Sequence, residues 1–165
     1  ESCLLFEYSL HCAKLLKDVV FLWRMHPAAS FSILAKKYPI FRTLPANVIM
    51  SESSLEDDAA RASWALYRGT SAIVSAVLAG AAPVYLRVEG EMTIDPLYEL
   101  NDARAIVSSI DDFVALVDGD KREFPTDAQA DMAARYCMEV FSPMVPEVVV
   151  DYLDQIDRSA SVTGS

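Results

Sequence analysis

Cysteine, histidine and glycine are scarce in this chain, and basic residues are outnumbered. Only Cys3, Cys12 and Cys137 occur among 165 residues. An odd, sparse set is not a disulfide framework. Cys3 and Cys12 fall in an apolar helical pattern, where a free thiol behaves as a small hydrophobe, so buried, reduced thiols and a cytoplasmic setting are expected. His11 and His26 share no zinc-type spacing with the cysteines, and no metal or other cofactor is expected. Lys and Arg number 14 against 24 Asp and Glu, a net charge of −10. That balance argues against nucleic acid or anionic lipid as a partner, since both require clustered cations. A small anion remains compatible, because a few local cations and a helix N-terminus suffice to hold it. No stretch reaches the ~20 apolar residues of a membrane span, and the best run, Ile73 to Leu86, is interrupted by Gly80 and Pro83. The start lacks the basic segment and cleavage site of a signal peptide. It also lacks Met and opens inside a helical pattern, so the chain reads as a fragment of a longer protein.

Apolar residues, by contrast, make up 53% of the chain, enough for a sizeable core without covalent staples. Leu5, Tyr8, Cys12, Leu15, Leu16 and Val19 recur at helical spacing, predicting a helix over Glu1–Lys17. Val19–Trp23 is a continuous β-prone run, the mark of a strand covered on both faces, and Pro27 closes it. A short helix follows over Ala28–Tyr38, stopped by Pro39. Asn47–Ser51 predicts a second strand, and Ser53 or Ser54 caps a helix running through Ala62, with Glu56, Asp57 and Asp58 in its first turn. Trp64–Tyr67 is a third strand. Arg68–Ser71 turns into a helix over Ser71–Ala79 with Gly80 at its C-cap, and Pro83–Val88 is a fourth strand. Strands alternating with helices imply βαβ units, hence a Rossmann-like parallel sheet with helices on both faces over residues 1–108. Beyond the fourth strand the pattern predicts a short helix over Pro96–Leu100 and a small strand at Ala105–Val107. A helical extension spans 109–158: a helix capped by Ser109, a turn at Asp118–Asp120, a longer helix capped by Thr126 and broken by Pro143 and Pro146, and a last amphipathic helix from Glu147. Residues 159–165 read as a disordered tail.

Polar clusters fall where such a sheet holds its ligand, beyond the carboxyl ends of its strands. They are Arg24 and His26 after the first strand, Ser51 and Ser53 after the second, and Arg68, Gly69, Thr70 and Ser71 after the third. Gly69 lets backbone and ligand approach closely, while Thr70 and Ser71 offer hydroxyl and N–H groups at a helix start that attracts a phosphate; both hydroxyls also serve as ordinary caps. Arg24 alternates with His26 and points the same way; the alternatives are a solvated rim charge for Arg24 and a loop histidine bonded to neighbouring backbone for His26. Glu89, Glu91 and Asp95 follow the fourth strand, as solvated loop acids or as partners for a ribose diol.

In order, "FLWRMHP", "NVIMSES" and "WALYRGTSAIVSAVLAGAAPVYL" resemble the carboxyl-terminal domain of GT-B glycosyltransferases, nearest to bacterial surface-polysaccharide, capsule and sialyltransferase-like enzymes with a His-Pro and a Ser/Thr motif. The resemblance covers residues 1–100 and implies half of a GT-B fold. It implies that His26 contacts the donor phosphate as the catalytic group, that Thr70 and Ser71 also bind phosphate, and that a CMP-, UDP- or GDP-linked sugar binds without metal. It places the catalytic base in an amino-terminal domain missing from this chain, so the isolated fragment is expected to be inactive and to have an apolar surface available for homodimerisation. The alternatives are a nucleotide-sugar epimerase domain and a non-catalytic Rossmann-like interaction module.

Overall fold

The computed structural model describes residues 2–26, 29–91, 94–118, 124–141, 145–147 and 149–153. The chain is an α/β protein with short parallel sheets. Helix α1 (Ser2–Leu15) leads into β1 (Phe21–Trp23), α2 (Phe31–Lys37), a 3₁₀ turn at Pro39–Phe41 and β2 (Val48–Met50). Then come α3 (Leu55–Arg61), β3 (Trp64–Tyr67), α4 (Ala72–Leu78), β4 (Ala82–Leu86), β5 (Ala105–Val107), α5 (Ile110–Asp118) and α6 (Asp127–Val140).

Every pairing is parallel, but the strands form two ladders, β1–β2 and β3–β4–β5, rather than one continuous sheet. The first ladder is only three residues long, and among the described residues no strand pairing joins it to the second. Val20, expected inside the first strand, is instead 58% exposed, and the strand begins at Phe21.

The long ladder separates two apolar cores. Trp64, Leu66, Val84, Leu86, Ala105 and Val107 face one, together with α1, β1, β2 and α5 side chains such as Leu10, Trp23, Val48 and Phe113. The alternate residues Ala65, Tyr67 and Tyr85 face the other, with Ala59 of α3, Ile73 and Val77 of α4, and Ala133 and Cys137 of α6. This is the period-two alternation of a strand, and it explains why all five residues of β4 are buried. Among the thiols, Cys12 and Cys137 are buried, Cys3 is half-buried, and all are free.

Local chemistry sets the element ends. At the end of α1, the Asn47 side-chain amide donates to the carbonyls of Ala13, Leu16 and Val19 at 3.0, 2.9 and 2.9 Å. The Ala13 carbonyl lies in the last turn of α1, where helical donors run out, and Leu16 O also accepts from Val19 N at 3.1 Å, so one side chain from the approach to β2 both caps α1 and docks the strand. Ser54, rather than Ser53, caps α3, accepting from Asp57 N at 3.0 Å. Ser109 accepts from Asp112 N at 3.2 Å, and Thr126 forms a reciprocal capping box with Gln129. Helix α4 ends in paired bonds, Gly80 N to Val77 O and Ala81 N to Ala76 O, with Gly80 at φ +102°; this is the Schellman pattern.

The helix expected over Pro96–Leu100 is a turn instead. Asp95 Oδ1 accepts from Leu97 N at 2.9 Å, a local side-chain bond that competes with helical pairing. Residues 146–147 and 149–153 are helical, and Val149, Val150, Tyr152 and Leu153 there are exposed. Expectations resting on Pro27, on Gly119 and Asp120, on Pro143 and on residues 154–165 lie outside the described residues. Among the described residues no helix is long and apolar enough to cross a membrane.

Candidate functional site

Parallel pairing aligns Trp23 with Met50, so Arg24 and Ser51 leave the same end of the first ladder. The side chains there organise around Asp58, in the first turn of α3. The Ser51 hydroxyl donates to one Asp58 oxygen, and Arg61 donates to the other at 2.6 Å. Arg24 Nε lies 3.9 Å from Asp58, while Arg24 Nη2 donates to the Ser53 carbonyl. Ser53 N in turn donates to Ser51 Oγ at 3.2 Å. Burial alone would push the Asp58 carboxyl up, but the bonds from Ser51 and Arg61, with Arg24 adding its charge, outweigh it and hold the group below the usual carboxylate range. Asp58 thus fixes Arg24, Ser51 and Ser53 relative to one another and leaves the Arg24 side chain a third exposed.

The expectation that Glu56, Asp57 and Asp58 are simply helix-start acids is met for the first two, which are exposed; Asp58 is buried and binds tertiary partners. Arg61 went unanticipated, although its place one helical turn after Asp58 is the spacing of a side-chain pair. His26 is exposed in the segment following β1, and its carbonyl accepts from Ala29 N at 2.8 Å.

The second ladder ends similarly, with Tyr67 aligned on Tyr85 and Leu86 on Val107. Gly69 has φ +57°, the left-handed turn that a side chain resists. Thr70 Oγ1 accepts from Ala72 N at 3.2 Å, whereas Ser71 occupies the N-cap position without a side-chain cap bond. Arg68 is the unusual member. Its side chain is 1% exposed, and its Nη2 binds Glu91 at 2.6 Å, a carboxylate side chain that is itself 51% exposed. Nη1 reaches the Leu86 carbonyl at 3.4 Å, and Nε has no partner among the described residues. Glu91 belongs to the wall of an open cleft of about 770 Å³, lined by Tyr85, residues 87–91 and Ser108 at the carboxyl ends of β4 and β5.

Asp95 departs from both readings made for it, since it is neither a solvated loop acid nor open to a ribose. Its side chain is buried in an ion pair with Arg104 and accepts from Tyr67 Oη at 2.9 Å. The Arg104 guanidinium lies 5.4 Å from the ring centre of Tyr85, within cation–π range. Burial, partly offset by Arg104, pushes the Tyr67 hydroxyl up to about 12. The network is the polar underside of the second core. Arg104 was missed because it stands in an irregular stretch with no period or spacing to mark it.

The structure therefore groups Arg24, Ser51 and Ser53 through Asp58, pairs Arg68 with Glu91, and keeps Gly69, Thr70 and Ser71 in the turn that follows Arg68. Among the described residues no group of three or more His, Cys, Asp and Glu side chains is placed to hold a metal ion. Against known proteins, no family model, no curated protein and no solved structure matches this chain.

Proposed function

We propose that this chain is the donor-binding domain of a glycosyltransferase, a Rossmann-like half of a GT-B enzyme taking a CMP-, UDP- or GDP-linked sugar in bacterial surface-polysaccharide synthesis in the cytoplasm. One observation carries the reading. An open cleft of about 770 Å³ sits at the carboxyl edge of the parallel β3–β4–β5 ladder, with a buried arginine tied to its wall. Ligands of parallel α/β sheets bind at that edge, and the buried Arg68 behind the wall supplies the cation that an anionic, nucleotide-linked sugar requires.

The mechanism is stabilisation of the departing nucleotide. Negative charge grows on the leaving phosphate as the glycosidic bond breaks, and fixed donors aimed at that charge lower the barrier. Arg68 supplies a cation with little freedom to move, and the Gly69–Thr70–Ser71 turn supplies N–H and hydroxyl groups beside it. Arg24 adds a cation held by Asp58, Ser51 and Ser53 shape the rim next to it, and His26 is the catalytic group that hydrogen-bonds the leaving phosphate. Acceptor and general base belong to an amino-terminal partner domain.

Isothermal titration with CMP, UDP and GDP tests the reading. One of them is expected to bind, and His26→Ala is expected to weaken that binding by about tenfold or more, the value of one charge-assisted hydrogen bond. Absence of binding by all three, or affinity indifferent to His26→Ala, removes the assignment.

A further inference from the structure

We propose that Arg68, which lies behind the cleft wall and meets it at Glu91, anchors an oxyanion seat, and that the Glu91 carboxylate fills the seat until a phosphoryl group displaces it. The inference rests on the reading of this edge as a donor site only in using the same cleft, and it assigns Glu91 the opposite role to a ligand contact.

The guanidinium is planar and carries five N–H donors in a rigid fork. Buried, it needs both a counter-charge and filled donors. Arg68 has its counter-charge but not partners for all its donors. Its counter-charge comes from a single Glu91 oxygen, at 2.6 Å. The bond to the Leu86 carbonyl is long at 3.4 Å, and Nε has no partner among the described residues. A phosphoryl group presents several oxygens, so it can serve Nη2 and Nε together, the paired geometry in which arginine binds phosphate best.

The two members of the present pair are also unequal. Arg68 is enclosed, with 1% of its side chain exposed, whereas 51% of the Glu91 side chain already meets solvent. Moving Glu91 out breaks its ion pair but adds to its hydration, while moving Arg68 out would open the core edge. The cation is therefore the fixed element and the carboxylate the replaceable one. Arg87 and the Ser108 hydroxyl line the same cleft, and so does Glu89, which opposes an incoming anion. With Arg87 and Glu89 offsetting each other, direct contact with Arg68 must do the holding.

A ligand that must evict Glu91 binds with an affinity reduced by the fraction of time the seat stands open. Removing the carboxylate charge removes that competition. A glutamate that instead grips sugar hydroxyls would lose affinity on the same change.

The experiment is a titration at constant ionic strength with inorganic phosphate, UDP and uridine. It compares the wild-type chain, Glu91→Gln and the double variant Arg68→Met with Glu91→Gln. Phosphate is expected to bind Glu91→Gln about tenfold more tightly than wild type, uridine is expected to show no gain, and the double variant is expected to lose the phosphate site. Tightening of phosphate alone marks a free-phosphate seat, and tightening of UDP as well marks a nucleotide-borne phosphoryl group; either upholds the seat. Phosphate affinity unchanged or weakened in Glu91→Gln overturns it. Should Glu91→Gln fold poorly, the Arg68 Nε–H resonance of the wild-type chain reports directly: a shift saturating with phosphate is expected, and none at saturating phosphate overturns the seat. UDP binding that ignores both variants sinks the seat and leaves the donor reading standing. Phosphate binding that tightens while no nucleotide binds upholds the seat and sinks the donor reading.

Discussion

Asp58 shows how much one side chain sets at the first ladder's edge. It collects a hydroxyl from Ser51, a guanidinium from Arg61 and the charge of Arg24. Replacing it with asparagine keeps the shape but removes the charge-assisted bonds, and urea denaturation at pH 7 is expected to show a loss of about 1–3 kcal/mol. The pH dependence has a definite sign. Because the folded carboxyl lies below its usual value of 3.8, its contribution is complete above that value and disappears as pH falls through the lower folded value. Wild type and Asp58→Asn should accordingly differ at pH 7 and converge as pH falls through that folded value. A stability gap that stays constant into acid would mean that Asp58 acts by packing rather than by charge.

At the scale of elements, Asn47 is the counterpart of Asp58. Its amide satisfies carbonyls at the end of α1 while the residues after it enter β2. Asn47→Ala removes this donor from carbonyls that include those of the buried Ala13 and Leu16 and uncouples the helix from the strand. A loss of about 1–3 kcal/mol is expected in thermal or urea unfolding, with faster amide exchange in the last turn of α1; unchanged exchange there would refute the coupling. Asn47 also shows where sequence reading stops. The strands were legible because β-prone runs and turn residues bound them, and β3 was read with both ends correct. The caps at Ser54, Ser109 and Thr126 were legible because they act within three or four residues. The division into two ladders was not legible, since whether the short β1–β2 pair joins its neighbour depends on packing that no local pattern encodes. The site divides the same way. Arg24, Ser51 and Arg68 were picked out because strand ends were visible. The pairing of Arg68 with Glu91, the burial of Asp58 and the Asp95–Arg104 bond unite distant or irregular positions, where no periodicity carries a signal.

For the whole molecule, the governing quantity is charge. A net charge of −10 opposes the approach of an anionic nucleotide at long range, whereas Arg24, Arg68 and Arg87 attract it at short range. A folded chain of this length has a radius of gyration of roughly 15 Å. In 10 mM salt the screening length is about 30 Å, so the whole acidic surface acts on the approaching ligand; at 0.15 M it is about 8 Å, and chiefly the charges lining the cleft are felt. Salt therefore removes long-range repulsion faster than it would remove the close contacts of the proposed phosphate. The association rate of the nucleotide, followed by stopped-flow fluorescence with a labelled analogue, is expected to rise by a few-fold between these salt concentrations, the reverse of steering by a basic surface. The dissociation rate should rise more gently, because the Arg68 guanidinium is shielded from solvent. An association rate that falls with salt would show that the arginines near the cleft project their field past the acidic surface, and that the encounter is guided rather than opposed by the protein's charge.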